Sequence, residues 1–156
     1  SAEVSSLSDE ISVDDNAFIT LRMNNKARGS IWVSSAATGG ENGLKIRVYG
    51  TKGAVEWLQD DPNILKFTQL NNPTSIITRA SNSTSDLSMK SSRVAAGHPE
   101  GFFEAFANIY TEFADSITRS KKLLPSIPNI QDGVKGIKFI YAAKESSNKN
   151  SKWIKL

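Results

Sequence analysis

The chain has 156 residues, enough for one domain with a hydrophobic core of its own, and its 38% hydrophobic and 22% charged residues are typical of a soluble globular protein. It contains no cysteine and one histidine, which excludes disulfides and argues against a zinc site or another bound metal. The net charge of +3 is scattered, and no apolar run approaches the ~18 residues of a membrane helix, so neither nucleic acid nor a membrane is an expected partner.

The first half of the chain alternates apolar and polar residues with the period of two that is typical of β-strands. Asn24, Asn25 and Lys26 interrupt the alternation with turn-forming residues and predict a hairpin. Residues 1–15 are compatible with a short strand or a loop. Short turns separate most of the segments, which predicts an antiparallel meander. The six predicted strands comprise residues 17–23, 27–33, 44–49, 54–58, 64–70 and 75–79.

The second half of the chain predicts helices. Residues 80–96 are rich in serine and predict an exposed, mobile loop. Large apolar residues then recur at helical spacing and predict a helix from about Pro99 to Arg119, with Phe106 in the core. A second helix is predicted from near Asn129 to Ser147, and the apolar residues 153–156 predict a short edge strand.

The order of these elements indicates the fold class. Strands followed by helices predict an α+β fold, with a large, mostly antiparallel open sheet and two main C-terminal helices packed on one of its faces. Trp57, in the middle of the predicted strands, is expected to belong to the core.

The candidate site is the entry of the first long helix, which carries the only histidine of the chain, His98. A helix N-terminus directs backbone donors toward a ligand, which suits an anionic or hydroxyl-rich molecule near His98. Glu100 belongs to the first predicted turn, and Asn42 lies in a glycine-rich loop that could reach a sugar. Each has a plainer interpretation: an exposed helix-entry residue for His98, a helix-dipole partner for Glu100 and a solvated turn for Asn42.

Several signatures of catalysis and of cofactor binding are absent from the sequence. No glycine fingerprint for a dinucleotide stands between a predicted strand and a helix, and the glycines of residues 39–43 lie between antiparallel strands. The sequence shows no phosphate-binding loop and no nucleophile with an identifiable base. The first residues are polar and do not form a signal peptide, so a cytoplasmic location is expected.

Four segments, in their order and spacing, resemble the C-terminal domain of the glucose-fructose oxidoreductase and inositol dehydrogenase family (Gfo/Idh/MocA). The second contains the sequence LKIRVYGTKGAVEW, and the third opens with HPEGF. Each motif is weakly diagnostic alone, and their combined order carries the resemblance over nearly the whole chain. The segments comprise residues 15–32, 44–57, 98–110 and 132–147, followed by Trp153.

The resemblance implies that residues 1–156 are a single domain, the substrate and oligomerisation domain of a longer oxidoreductase. Members of the family place it after an N-terminal Rossmann domain, which binds NAD or NADP and carries the catalytic lysine. Their general-acid pair of Asp and His lies early in the substrate domain. No position of this chain matches these three residues, so the resemblance implies no catalytic or cofactor-binding residue here. It also implies that the chain is inactive alone and that its own Rossmann domain is a partner.

The resemblance further implies that the substrate of the parent enzyme is a sugar or a polyol. It supports a substrate-binding role for His98, with Glu100 and Asn42 as further candidates on the substrate side. Phe18 and Trp32 share one face of the predicted hairpin, which suits subunit packing in a homo-oligomer through the open sheet face, as is common in the family.

Two other functions are compatible with the sequence. A free-standing carbohydrate-binding module could use the aromatic residues of the sheet. A small hydrolase could use carboxylates around His98, although no activated nucleophile is visible. A Rossmann fingerprint and a lysine-bearing segment encoded in frame before Ser1 would favour the oxidoreductase.

Overall fold

The structure, a computed structural model, describes residues 1–9, 12–82, 84–118 and 127–156. The described residues form seven strands and three helices, in two compact units. Unit 1 comprises Ser1–Glu41 and Pro128–Leu156, and unit 2 comprises Asn42–Ile127. The elements are β1 (Ala2–Ser5), β2 (Asn16–Arg22), β3 (Arg28–Ser34), β4 (Lys45–Gly50), β5 (Gly53–Leu58), β6 (Ile64–Gln69), β7 (Thr74–Thr78), α1 (Asp86–Ser91), α2 (Phe102–Thr118) and α3 (Ile130–Asn148).

Unit 1 contains α3 and an antiparallel sheet with the strand order β1-β2-β3. β2 and β3 form the predicted hairpin, with Phe18 opposite Trp32. The Met23 amide donates to the Ala27 carbonyl and closes the turn, where Lys26 takes a φ of 69°. The turn-forming sequence between the strands therefore fixes their register.

α3 packs against β1 through two serine hydroxyls. The amide of Ala2 donates to Ser146 Oγ at 2.8 Å, and the amide of Val4 donates to Ser147 Oγ at 3.0 Å. Ala2 and Ser146 are both buried, so the hydrogen bond between them lies in the interior of unit 1. A hydroxyl buried in this way is stabilising because it satisfies a backbone donor that would otherwise lack a partner.

Unit 2 contains α1, α2 and an antiparallel meander with the strand order β4-β5-β6-β7. On one face of the meander, Glu56 of β5 pairs with Lys66 of β6 at 3.1 Å and with Lys45 of β4 at 3.2 Å. The hydrogen bonds from Lys66 and then Lys45 hold the pKa of the Glu56 carboxyl below its ordinary value. The Trp57 indole donates to the Pro62 carbonyl at 3.1 Å and fastens the turn before β6.

A carboxylate accepts from the backbone at the start of each long helix. The Gly101 amide donates to Glu104 at 2.9 Å before α2, and the Asn129 amide donates to Asp132 at 3.1 Å before α3. Asn129 also accepts from the Asp132 amide, which completes a capping box. These backbone hydrogen bonds hold the pKa values of Glu104 and Asp132 below their ordinary values, because they stabilise the charged form.

The α+β class and the antiparallel pairing of the six predicted strands are confirmed. The N-terminal segment, which the sequence left open between strand and loop, contains β1. The strands form sheets of three and four strands, where the sequence predicted one large sheet. Residues 35–44 form a loop that is longer than the loops of tight hairpins, so local turn chemistry does not specify a pairing of β3 with β4.

One predicted boundary and one predicted strand are wrong. α2 begins at Phe102 rather than at Pro99, because the first helical hydrogen bond runs from the Ala105 amide to the Gly101 carbonyl. Residues 153–156 form no strand. The predicted end of α2 at Arg119 lies outside the described residues.

The short helix α1 lies inside the segment that the sequence predicted as a loop. Ser85 caps it, since the Ser85 hydroxyl accepts from the Ser88 amide at 3.3 Å. The serine-rich composition that indicated a loop therefore includes a helix cap.

The expected core positions are less buried than predicted. Trp57 is half-buried, and Phe106 of α2 is 45% exposed. The other large apolar residues of α2 are also exposed, so its apolar face is left uncovered in the described part of this unit. Helical spacing predicts which residues share a face, but it does not show whether another element covers that face.

Candidate functional site

His98 lies at the end of a tight turn in unit 2. Its amide donates to the Ala95 carbonyl at 3.3 Å, and Gly97 takes a φ of +84° at the third position. A type II turn requires a positive φ at that position, which glycine adopts without strain. The His98 residue is exposed, so the turn presents the imidazole to solvent.

Arg79, which directly follows β7, binds the backbone of this turn. Its Nη1 donates to the Val94 carbonyl at 3.0 Å. Its Nη2 donates to the Ala95 carbonyl at 3.0 Å and to the His98 carbonyl at 2.7 Å. One guanidinium thus binds three carbonyls of the segment that carries the histidine.

Glu100 binds the same segment through its amides. The Glu100 carboxylate accepts from the Arg93 amide at 2.9 Å and from the Val94 amide at 3.1 Å. It also pairs with Arg79 at 2.9 Å, and the side chains of Arg79 and Glu100 are only 13% and 7% exposed. A carboxylate and a guanidinium that are paired and fully hydrogen-bonded can be buried without leaving an uncompensated charge.

Asn63 joins the two members of this ion pair. Asn63 Oδ1 accepts from Arg79 Nε and from the Glu100 amide, each at 3.1 Å. The Asn63 carbonyl accepts from the Arg79 amide at 2.8 Å. Arg79, Glu100 and Asn63 are called the Arg79 cluster below.

The same segment is also tied to α2. The Arg93 side chain donates to Thr111 Oγ1 at 2.7 Å, and Asn108 Nδ2 donates to the Ser91 carbonyl at 2.6 Å. At the start of the helix, the Glu104 carboxylate accepts a hydrogen bond from the Gly101 amide. One of the backbone donors that the sequence analysis assigned to a ligand is therefore already occupied by a side chain.

The three predicted substrate-binding residues lie in different surroundings. His98 is exposed, whereas Glu100 is a largely buried member of the Arg79 cluster. The two residues are linked because Arg79 binds the His98 carbonyl and the Glu100 carboxylate. Asn42 is exposed in the loop before β4, and within the described residues no hydrogen bond joins it to His98 or Glu100. The structure thus brings together two of the three.

Neither Arg79 nor Asn63 was predicted from the sequence as part of the site. Both closed predicted elements, Arg79 at the end of a strand and Asn63 in a turn, and neither position carries a motif. Their partner Glu100 is 21 and 37 residues further along the chain, and pairing over such distances is not visible in local spacing.

The chemistry available at this site is that of an exposed imidazole. A neutral imidazole donates from one nitrogen and accepts at the other, which suits a hydroxyl group. The nearby carboxylate of Glu100 is used by Arg79 and by backbone amides, so it does not orient the imidazole as a general base. The site as described is suited to binding a polar ligand rather than to nucleophilic catalysis.

Other features of the described residues do not coincide with this site. No group of three or more acidic or histidine side chains in them is arranged to hold a metal ion. None of the described helices is both long enough and apolar enough to cross a membrane. A groove of about 370 Å³ lies in unit 1 between β2, α3 and the C-terminal residues, where Arg22 stacks over the Trp153 ring at 3.8 Å.

Comparison with known proteins identifies relatives across the whole chain. A family model described as "Oxidoreductase family, C-terminal alpha/beta domain" matches residues 1–156. The uncharacterised oxidoreductase YfiI of Bacillus subtilis is 32% identical over 148 residues, which are 91% of this chain and 38% of that protein.

Solved structures give the same result. An oxidoreductase from Sinorhizobium meliloti has 41% identity and a TM-score of 0.90, over 99% of this chain and 45% of that chain. An inositol dehydrogenase homolog from Azotobacter vinelandii, in complex with NADH and myo-inositol, has 30% identity and a TM-score of 0.90, over 99% of this chain and 43% of that chain. The chain thus spans less than half the length of these relatives.

Proposed function

This chain belongs to the Gfo/Idh/MocA oxidoreductases as their C-terminal alpha/beta domain, and we propose that it is the substrate-binding and oligomerisation part of an NAD(P)-dependent polyol or sugar dehydrogenase. The observation that carries the proposal is the similarity, over 99% of the chain, to the Azotobacter homolog in complex with NADH and myo-inositol. That complex favours a polyol as the substrate and NAD as the cofactor.

The division of labour follows from what the sequence lacks. Dinucleotide binding requires a strand, a glycine turn and a helix that present backbone amides to the pyrophosphate, and this chain contains no such fingerprint. The relatives are more than twice as long as the part that this chain matches. We therefore assign the cofactor to a Rossmann domain of the same protein and the substrate to the residues described here.

His98 is the proposed contact to a substrate hydroxyl. Its imidazole is exposed, and its backbone is held by Arg79. Asn42 is a second candidate contact, because its amide can donate and accept and is also exposed. The Glu100 carboxylate is largely buried and binds backbone amides, which favours a positioning role over direct contact with the substrate.

Phe18 and Trp32 are the proposed centre of the surface through which subunits associate. Their rings are stacked with centroids 5.8 Å apart and planes within 2°, and they are 53% and 62% exposed. An exposed aromatic pair on a sheet is typical of an interaction surface, and a second copy of the chain is the proposed occupant. The same flat pair also suits a sugar ring, which keeps a carbohydrate-binding module as the alternative function.

Steady-state kinetics of the full-length enzyme test the proposal. Reduction of NAD⁺ and NADP⁺ is followed with a panel of polyols and sugars that includes myo-inositol. We expect turnover with at least one polyol and a decrease of kcat/KM of about tenfold in His98→Ala, the size expected when one hydrogen bond to a hydroxyl is lost. Lys138→Ala, an exposed change on α3 in unit 1, is the control.

Two results would contradict the proposal. Failure of every polyol and sugar to reduce either cofactor would exclude the dehydrogenase. Binding of a sugar to the isolated chain that is abolished by Trp32→Ala, with no effect of that substitution on oligomeric state, would favour the carbohydrate-binding module instead.

A further inference from the structure

We infer that Arg79 is a positioning residue for His98, which it holds in place by binding the backbone of residues 93–100. The inference rests on the proposed function, because it takes His98 as the contact to the substrate. Arg79 itself does not touch the substrate in this proposal. It acts through the histidine.

Four hydrogen bonds and one ion pair engage all three nitrogens of the Arg79 guanidinium. Nε binds Asn63, Nη1 binds Val94 and Glu100, and Nη2 binds Ala95 and His98. The planar fork of arginine makes this possible, whereas a lysine ammonium has three donors on a single nitrogen and cannot reach acceptors spread over the same area. Lysine at this position therefore keeps the charge but loses most of the contacts.

The segment from 93 to 98 contains no helix or strand, so side chains supply much of its backbone pairing. Glu100 accepts from the amides of Arg93 and Val94, while Arg79 donates to the carbonyls of Val94, Ala95 and His98. A backbone paired in this way keeps its conformation only while both charged side chains are in place.

The direction of the His98 side chain depends on this pairing. The imidazole is exposed, so the packing of neighbours does not fix its orientation. Its backbone is fixed at two points, by the turn hydrogen bond to Ala95 and by the 2.7 Å bond from Arg79. Loss of the second point frees the residue that is proposed to meet the substrate.

A double-mutant cycle in the full-length enzyme tests the inference. The variants are Arg79→Lys, His98→Ala and the double substitution, with Arg47→Lys as the control because Arg47 is exposed on β4. Two quantities are measured: kcat/KM for the best polyol, and the hydrogen exchange of the amides of Arg93 and Val94. Glu100→Gln replaces Arg79→Lys in the cycle if the latter does not fold.

We expect Arg79→Lys to accelerate exchange at both amides and to lower kcat/KM by up to about tenfold, because a residue that acts only through His98 cannot cost more than the loss of the His98 contact itself. In the His98→Ala background the same substitution should change kcat/KM by less than about twofold, because non-additivity indicates that the two residues act as a unit. Arg47→Lys should change neither quantity.

The outcomes separate the inference from the proposed function. Additive losses of kcat/KM would overturn the inference, since Arg79 would then act independently of His98. Unchanged exchange at residues 93 and 94 would overturn it as well. If exchange accelerates but His98→Ala retains full activity, the backbone pairing is correct and the substrate role of His98 fails, which overturns the inference through its premise.

Discussion

Gly97 offers a test of the turn that presents His98. The glycine has a φ of +84°, and a Cβ built on it meets no atom within 4 Å. Gly97→Ala therefore adds backbone strain and no steric clash. The left-handed conformation costs an L-residue about 1–2 kcal/mol, and the lower entropy of alanine in the unfolded chain returns about 0.4–1 kcal/mol. The net expectation is a destabilisation of about 1 kcal/mol.

Gly136 in α3 is the matched control. A Cβ at Gly136 also meets no atom within 4 Å, but the backbone there is helical. Gly136→Ala should stabilise the chain by about 1 kcal/mol, since alanine is the better helix former by that amount. The same chemical change thus has opposite signs at two equally open positions.

Urea denaturation of both variants, followed by circular dichroism, measures the two free energies of unfolding. If Gly97→Ala stabilised the chain as much as Gly136→Ala does, residue 97 would not need a positive φ. The type II turn and the presentation of His98 that depends on it would then be wrong. Loss of kcat/KM in the full-length Gly97→Ala enzyme, without loss of cofactor affinity, is the matching functional result.

Three further predictions follow from the structure. His98→Ala should change the free energy of unfolding by no more than about 1 kcal/mol, because the residue is exposed and truncation of its side chain leaves no cavity in a core. Urea denaturation of the chain measures this free energy. The isolated chain should bind neither NAD nor NADP in calorimetry, and micromolar binding would refute the assignment of the cofactor to another domain. The pKa of Asp132 is lower in the folded chain than in the unfolded chain, so its contribution to stability is present above the unfolded pKa and is lost as the pH falls through the folded pKa. Asp132→Asn should therefore reduce the loss of stability on acidification, and an unchanged acid titration of unfolding would contradict this.

The strands could be predicted from the sequence because alternation acts locally. Apolar and polar residues alternate with a period of two in the segments from Ala17 to Arg79. Short turns join most of these segments, so the antiparallel pairing of neighbouring strands follows directly. The division into two sheets was not predicted, because the alternation of apolar and polar residues gives no information on which strands pair across the long loop after β3. Phe106 illustrates a related limit, since its helical spacing is correct but nothing in the described part of its unit buries it.

The candidate site could be predicted only in part. His98 was identified because it is the single histidine and stands near a helix. The side chains that hold the His98 segment were not identified, because the Arg79 cluster joins the end of one strand, a turn and a loop that are remote in sequence. An arginine at the end of a strand and an asparagine in a turn are ordinary residues until the fold brings them to one glutamate.

The serine contacts between α3 and β1 have a consequence for how the sheet of unit 1 can grow. β1 is the terminal strand of that sheet, and its outward amides at Ala2 and Val4 are both taken by hydroxyls of α3. These two backbone amides are therefore not available to hydrogen-bond with another strand at the outer edge of β1. A further strand, whether from a partner or during aggregation, would have to displace both serine hydroxyls before it could pair with β1.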